Sequence, residues 1–248
     1  MSTHDHSRRG LASSLVVCAS YGPDPPLRAA VLQSTRMQDP PGIESNRPRR
    51  PSRVSCDRIR VMGKTYQAIG DEHREFIERQ HVFFVASAPL AADGHVNLSP
   101  KGLEALHVID PNTVMYLDLT GSGNETAAHV TENGRLTLMF CAFDGHPKIL
   151  RLYCRGQIVT RGTPGWADAL AHFPHFPGIR QIVIGRVESV QTSCGFGVPL
   201  LSFTGQRDQL PRWAENRGEA AMVEYRRTRN TISLDGLPTP AMDPSESR

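Results

Sequence analysis

Residues 113–145 read TVMYLDLTGSGNETAAHVTENGRLTLMFCAFDG, and this stretch decides the fold. Thr113–Thr120 is dense in apolar and β-branched residues and reads as a strand. Gly121-Ser122-Gly123-Asn124 breaks the chain. Glu125–Glu132 is a short helix ended by Asn133-Gly134, where glycine supplies the left-handed turn of a helix C-terminus. Arg135–Phe143 is the next strand, and Asp144-Gly145 turns the chain again.

The same alternation continues on both sides. Upstream, Asp71–Arg79 is a helix opened by acids and closed by Arg79, as the helix dipole favours. Phe76 and Ile77 would dock it. Val82–Ala88 is a buried-type strand, Asp93-Gly94 a hairpin turn, His95–Ser99 the return strand, and Asp110-Pro111-Asn112 another turn. Downstream, Lys148–Thr160 is a long strand crossing Gly156. Thr163-Pro164 starts a helix to about Ala171, with Thr163 as cap and proline at the first position. Gln181–Gln191 is a strand, and Gln206–Arg229 is helical with a break near Gly218. Ser233–Arg248 reads as loose. Six or more hairpin-linked strands with only short helices between them favour an antiparallel barrel over a layered parallel sheet.

Composition excludes several classes. The 248 residues are 39% hydrophobic and 21% charged with net charge +3, a soluble globular balance without the strongly basic character of a nucleic-acid binder. No apolar run approaches the roughly 20 residues of a membrane-spanning helix. The basic charge is concentrated in residues 1–61, which hold 10 Arg and 5 acids. That segment also carries seven prolines and no sustained period, so it reads as a disordered extension before a domain at 62–238, with 239–248 a loose tail. Translation starting at Met62 fits the same pattern. Ser7-Arg8-Arg9-Gly10-Leu11 resembles a twin-arginine export signal, but the apolar stretch after it ends without a small-x-small cleavage site. Five cysteines without a C-x-x-C pair (Cys18, Cys56, Cys141, Cys154, Cys194) fit free thiols in a reducing cytoplasm.

The chemistry concentrates in two places. No G-x-S-x-G, Walker lysine loop or H-E-x-x-H occurs, and His172 and His175 lie in a proline-rich segment with no helix to align them on a metal. At Gly121–Thr126 a strand runs through glycines into a helix start, the makings of an anion site. A dinucleotide fingerprint is one reading of it, with Asp144 after the next strand. Against this, Thr126 stands where the third glycine belongs and no strand–helix alternation follows. The glycines can also simply end a strand and begin a helix. The second place is His95–Gly102, HVNLSPKG. Strand alternation puts Asn97 and Ser99 on one face, and Lys101, one of three lysines in the chain, follows at the strand end.

These motifs together resemble the FMN-binding split-barrel proteins related to pyridoxamine 5'-phosphate oxidase. The resemblance spans roughly Thr65–Pro238. It rests on NLSPKG at 97–102, YLDLTGSGNET at 116–126 and RLTLMFCAFDG at 135–145, while SCGFGVPL at 193–200 and RWAENRG to SLDGLP at 212–238 look like an actinobacterial-type branch. It implies a mainly β fold with short helices (α+β), a six-stranded antiparallel split barrel of the FMN-binding type, forming a cytoplasmic homodimer with the cofactor between subunits and a small-molecule substrate. Carried over, Asn97, Leu98, Ser99 and Lys101 would face the flavin ring or phosphate. Thr120, Gly121, Ser122, Asn124, Glu125 and Thr126 would form the phosphate and ribityl site. The chain departs from the type member at Glu125-Thr126, where basic residues are usual, so the clamp is more neutral. Glu125 would repel a phosphate if it pointed inward. The substrate-phosphate residues of the vitamin B6 oxidase are not recognisable. The implied function is an FMN-dependent oxidoreductase passing a hydride to or from a small molecule. An F420-dependent reductase on the same fold and a non-catalytic flavin- or haem-binding protein are the alternatives. Cys194 reads as an inert thiol.

Overall fold

The structure, a computed structural model, describes residues 63–240. The expectations for residues 1–61, for Met62 and for residues 241–248 lie outside the described residues, as do Cys18 and Cys56.

The chain enters through β1 (Thr65–Tyr66) and α1 (Asp71–Glu78), then forms β2 (Phe83–Ser87), β3 (Asn97–Lys101), β4 (Leu106–Asp110) and β5 (Thr113–Leu119). Helix α2 (Glu125–Asn133) leads to β6 (Arg135–Cys141) and β7 (Ile149–Thr160). Short α3 (Trp166–Leu170), β8 (Ile179–Ser193) and α4 (Gln209–Arg229) complete the order. One sheet runs β3-β2-β6-β7-β8-β5-β4, with β1 added on β8, and every pairing is antiparallel. The dinucleotide reading therefore fails on topology, because it needs parallel strands.

Long β7 and β8 form the spine, paired from Ile149↔Ser193 to Thr160↔Gln181. Register shifts at Tyr153/Cys154, Asp118/Leu119 and Val108/Asp110 are the irregularities that let a sheet bend. The bend brings edge strand β3 onto β5, the neighbour of the other edge: Lys101 of β3 bonds Asp118 of β5. This is the antiparallel split-barrel class that the sequence implies, with eight strands among the described residues rather than six. The additions are the two-residue β1 and edge strand β4, whose LHVID run is too short to carry a period.

Both faces of the central strands are buried. Val85, Val114, Leu138, Leu152 and Val183 pack inside with Phe76 and Ile77 of α1. Leu117, Val159, Ile182 and Ile184 pack outside against Ala169, Trp166 and Phe173. Burial pushes the Cys154 thiol up to about 12 and raises that of Cys141, while Cys194 is free and half-buried.

Two expectations are corrected, and one, the break in α4, holds. Thr163 does not cap α3: its hydroxyl donates to Thr160 O at 2.6 Å in the turn after β7, and the helix starts three residues later after Gly165 at φ 84. The break in α4 is real, with Gly218 at φ 73, ψ 163. Ser233–Pro240 is not loose. Ser233 N donates to Leu237 O and Thr239 N to Thr231 O, and the Asp235 carboxylate accepts from His95 N at 2.7 Å and meets its ring Nδ1 at 2.6 Å. These long-range partners lie about 140 residues away in sequence, where local composition says nothing of them.

Candidate functional site

Alternation along β3 sets the site. Asn97, Ser99 and Lys101 share the half-buried face, and Leu98 and Pro100 the opposite one. Leu98 is 62% exposed, so it does not join its neighbours as the carry-over expects; a period of two forbids it. On the inward face, Ser99 Oγ donates to Asn97 Oδ1 at 3.0 Å. Asn97 Nδ2 donates to Thr126 Oγ1 at 3.0 Å and to Ser87 Oγ at 3.3 Å. Ser87 Oγ lies 3.0 Å from Nδ1 of His129. Both members of that pair are buried, so the bond braces β2 against α2. The two sequence motifs, far apart in the chain, are thus joined side chain to side chain.

Their electrostatic centre is Asp118, which sequence reasoning did not single out. It lies on the inner face of β5 with Val114 and Tyr116 and is 2% exposed. Lys101 Nζ donates to Oδ1 at 2.7 Å. Arg180 approaches Oδ2 with Nε at 3.0 Å and Nη2 at 2.9 Å. Gln181 Nε2 donates to the same oxygen at 2.7 Å. Burial alone would push the carboxyl up, but the Arg180 guanidinium and then the Lys101 ammonium overcome this and hold it well below the usual carboxylate range. Arg180 Nη1 also donates to Gly123 O at 2.7 Å, tying the cluster to the glycine loop.

The loop residues divide into structural and outward-facing ones. Thr120 is buried, donating to Gly178 O at 2.9 Å and accepting from Arg226 Nη1 at 3.4 Å. Gly121 O accepts from Asn230 Nδ2 at 3.0 Å. Asn124 faces inward: Oδ1 accepts from Gln181 Nε2 at 2.8 Å, and Nδ2 donates to Asn230 O at 3.2 Å. It stands at the N-cap of α2 without a side-chain capping bond. Glu125 turns aside, both carboxylate oxygens accepting from Leu234 N at 3.0–3.1 Å. Ser122 is exposed. Lys101 and Ser99 are half-buried and Ser122 is exposed, so these three keep a surface to solvent, while Thr120, Asn124 and Thr126 are buried and hold the frame.

The missed residues are Asp118, Arg180, Gln181, Arg226 and Asn230. Asp118 did leave a signal, an acid inside the apolar run VMYLDLT, because a buried charge must find partners. Its partner depends on the β5–β8 register, which sets Asp118 opposite Gln181. His172 and His175 are both exposed, outside any regular element. Among the described residues no group of three or more His, Cys, Asp or Glu is placed to hold a metal ion, and no helix is long and apolar enough to cross a membrane.

An antiparallel split barrel whose edge strand β3 closes on β5 and β8 over a buried acid–base cluster defines the class. A family model described as pyridoxamine 5'-phosphate oxidase matches residues 69–190. The pyridoxamine 5'-phosphate oxidase family protein ustO of Aspergillus flavus is 42% identical over 192 residues, covering 70% of this chain and 76% of its own. The chain belongs to the pyridoxamine 5'-phosphate oxidase family. Among solved structures, a putative pyridoxamine 5'-phosphate oxidase from Lactobacillus delbrueckii is 20% identical, with TM-score 0.41 over 50% of this chain and 94% of its own. An FMN-binding protein from Syntrophomonas wolfei is 17% identical, with TM-score 0.35 over 52% and 85%.

Proposed function

We propose that this chain binds a flavin, FMN in the first instance, and serves as a cytoplasmic oxidoreductase acting on a small molecule. The observation that carries the reading is the charge balance beside β3. Two cations, Lys101 and Arg180, converge on the single carboxylate of Asp118, so the ledge stays net positive although an acid is buried in it. A phosphate monoester suits such a ledge. Lys101 has three N–H donors and uses one on Asp118. Ser122 is exposed three residues before the start of α2, whose first N–H groups have no partner within the helix. The carboxylate of Glu125, the one local group that would oppose a phosphate, is drawn away to Leu234 N. The residues present therefore fit the phosphate end of the cofactor, and membership of the family supports the remainder.

When bound, a flavin supplies two-electron hydride chemistry that no side chain here offers. The chain's own part is to hold the phosphate through Lys101, Ser99 and Ser122, to fix that grip through Asp118 and Arg180, and to keep water away from the reacting face. No side chain is assigned as acid or base.

The test is the visible spectrum of the purified full chain, followed by mass measurement of what heat releases. A flavin spectrum, the FMN mass and bleaching by NAD(P)H faster than free flavin support the reading. Bound flavin reduced no faster than free flavin makes the protein a carrier. A Soret-type band moves it to haem, and a colourless protein that takes up F420 but not FMN moves it to the deazaflavin. Uptake of none of them overturns the cofactor assignment.

A further inference from the structure

The segment between β8 and α4 forms no helix or strand, and its residues 201–203 and 205–207 line a hollow together with Phe84 of β2 and Pro100 of β3. It is fixed at two points. Leu201 N donates to Phe143 O at 2.9 Å. The Gln206 side chain accepts from Leu103 N and donates to His81 O, both at 3.1 Å. Gly102 leaves room for that clamp, since a Cβ there would stand 2.8 Å from Gln206 Oε1. The turn it holds is strained, with Leu103 at φ 63 and Glu104 at φ 54, and such backbone persists where surrounding structure over-determines it, often at ligand clamps.

Between the two fixed points the segment does not fill the space beneath it. A cavity of about 660 Å³ remains, within the range of small-molecule sites. Its walls are largely apolar, including Phe84, Pro100, Phe143 and Phe203, and Phe203 stacks on His81 with ring centroids 3.6 Å apart. Arg79 and Arg207, both exposed, line it together with one acid, Asp144. Among the described residues neither arginine has an ion-pair partner. Lys101 also lines it while its ammonium is held on Asp118 on the inward face of β3, so the cavity and the proposed cofactor ledge share that residue across the strand.

We propose that this cavity is the substrate site and that it takes a planar aromatic anion, an aromatic carboxylate being the simplest case. The apolar walls and the His81–Phe203 stack receive the ring, and Arg79 and Arg207 receive the charge. This rests on the flavin reading only for the word substrate; the binding chemistry stands by itself.

The experiment compares 2-naphthoate with neutral 2-naphthol on the full chain by equilibrium dialysis, with flavin content measured in parallel. Naphthoate is expected to bind at least tenfold tighter than naphthol. R79Q and R207Q are expected to remove that preference, and F203A to weaken both probes, with flavin content unchanged in all three. Equal affinity for the two probes, or no binding of either because a second copy fills the cavity, overturns the proposal. So does displacement of naphthoate by FMN, which would make the cavity the cofactor's own. A chain without flavin that still prefers naphthoate sinks the oxidoreductase reading and leaves the anion site standing.

Discussion

Asp118 is satisfied by three side chains, and that makes it a positioning residue rather than a ligand contact. Asp118→Asn leaves the buried Arg180 guanidinium without its carboxylate, which typically costs about 3–5 kcal/mol; a fall in the urea midpoint at unchanged slope measures it. Its folded carboxyl titrates below the ordinary value of 3.8. The stabilisation is therefore complete above that value and is lost only as pH falls below it toward the folded one. Stability of the wild type should be flat in this respect from pH 7 to 5, and the asparagine variant should lose part of the acid limb seen below pH 4. Lys101→Ala is different, because its side chain is 25% exposed. It is expected to weaken FMN binding by about tenfold, the loss of one charge-assisted hydrogen bond, with a far smaller change in midpoint than at Asp118. Asn124→Ala is a poorer probe of binding than the sequence suggests. Its side chain bonds Gln181 and Asn230 in the interior, so its loss costs stability as well as affinity, of order 1–3 kcal/mol.

At the scale of elements, the site depends on how α4 and the C-terminal turn dock. Gly178 has φ 73, and a Cβ there would stand 2.7 Å from Ala214 Cβ of α4. Its carbonyl accepts from both the amide and the hydroxyl of Thr120. Gly178→Ala combines backbone strain with a contact that only movement of α4 relieves, and should lower stability by about 1–3 kcal/mol, checked by thermal or urea unfolding. The turn at 233–237 is held by His95 and Asp235. The His95 ring is raised by its bond to Asp235, and Asp235 is lowered by the same bond. The histidine share of the clasp is lost as pH rises through the raised value, and the carboxylate share as pH falls through the lowered one. Amide protection at Leu234 should therefore peak between the two and drop in His95→Ala at acidic pH, as hydrogen exchange would record. How much of this the sequence carries depends on range. β2, β5, β6, β7, α1, α2 and the break at Gly218 are written in local pattern: alternation, acids at a helix start, glycine at its end. The contact of NLSPK with GSGNET was legible because each segment has its own chemistry. The Asp118–Arg180 pair, the inward turn of Asn124 and the docking of Asp235 on His95 were not, because strand register and a 140-residue return of the chain decide them.

The whole molecule leaves large apolar side chains in water. Val96 and Leu98 of the β3 region are 73% and 62% exposed, and Leu200 of the segment after β8 is 78% exposed, all three outside the lining of the proposed substrate cavity. β3 is also a sheet edge, with peptide groups on one side outside the ladder, a condition that soluble proteins cover or blunt. Lys101 and Ser99, two of the groups proposed to meet the phosphate, belong to that same edge strand. A second copy of the chain is the occupant that addresses both facts, because a two-fold interface uses one patch on each subunit and would wall two ledges at once. Light scattering on the full chain is expected to give about twice the 27.4 kDa of one chain. Leu98→Glu places a charge on the outward face of β3, away from the Asn97–Ser99–Lys101 face, and is expected to halve that mass and to lose the flavin with it. Lys101→Ala should bind flavin about tenfold more weakly and keep the mass. A wild-type monomer that retains flavin would show that one copy encloses the cofactor and that the exposed patch has another use; a Leu98→Glu monomer with full flavin would separate assembly from binding in the same way.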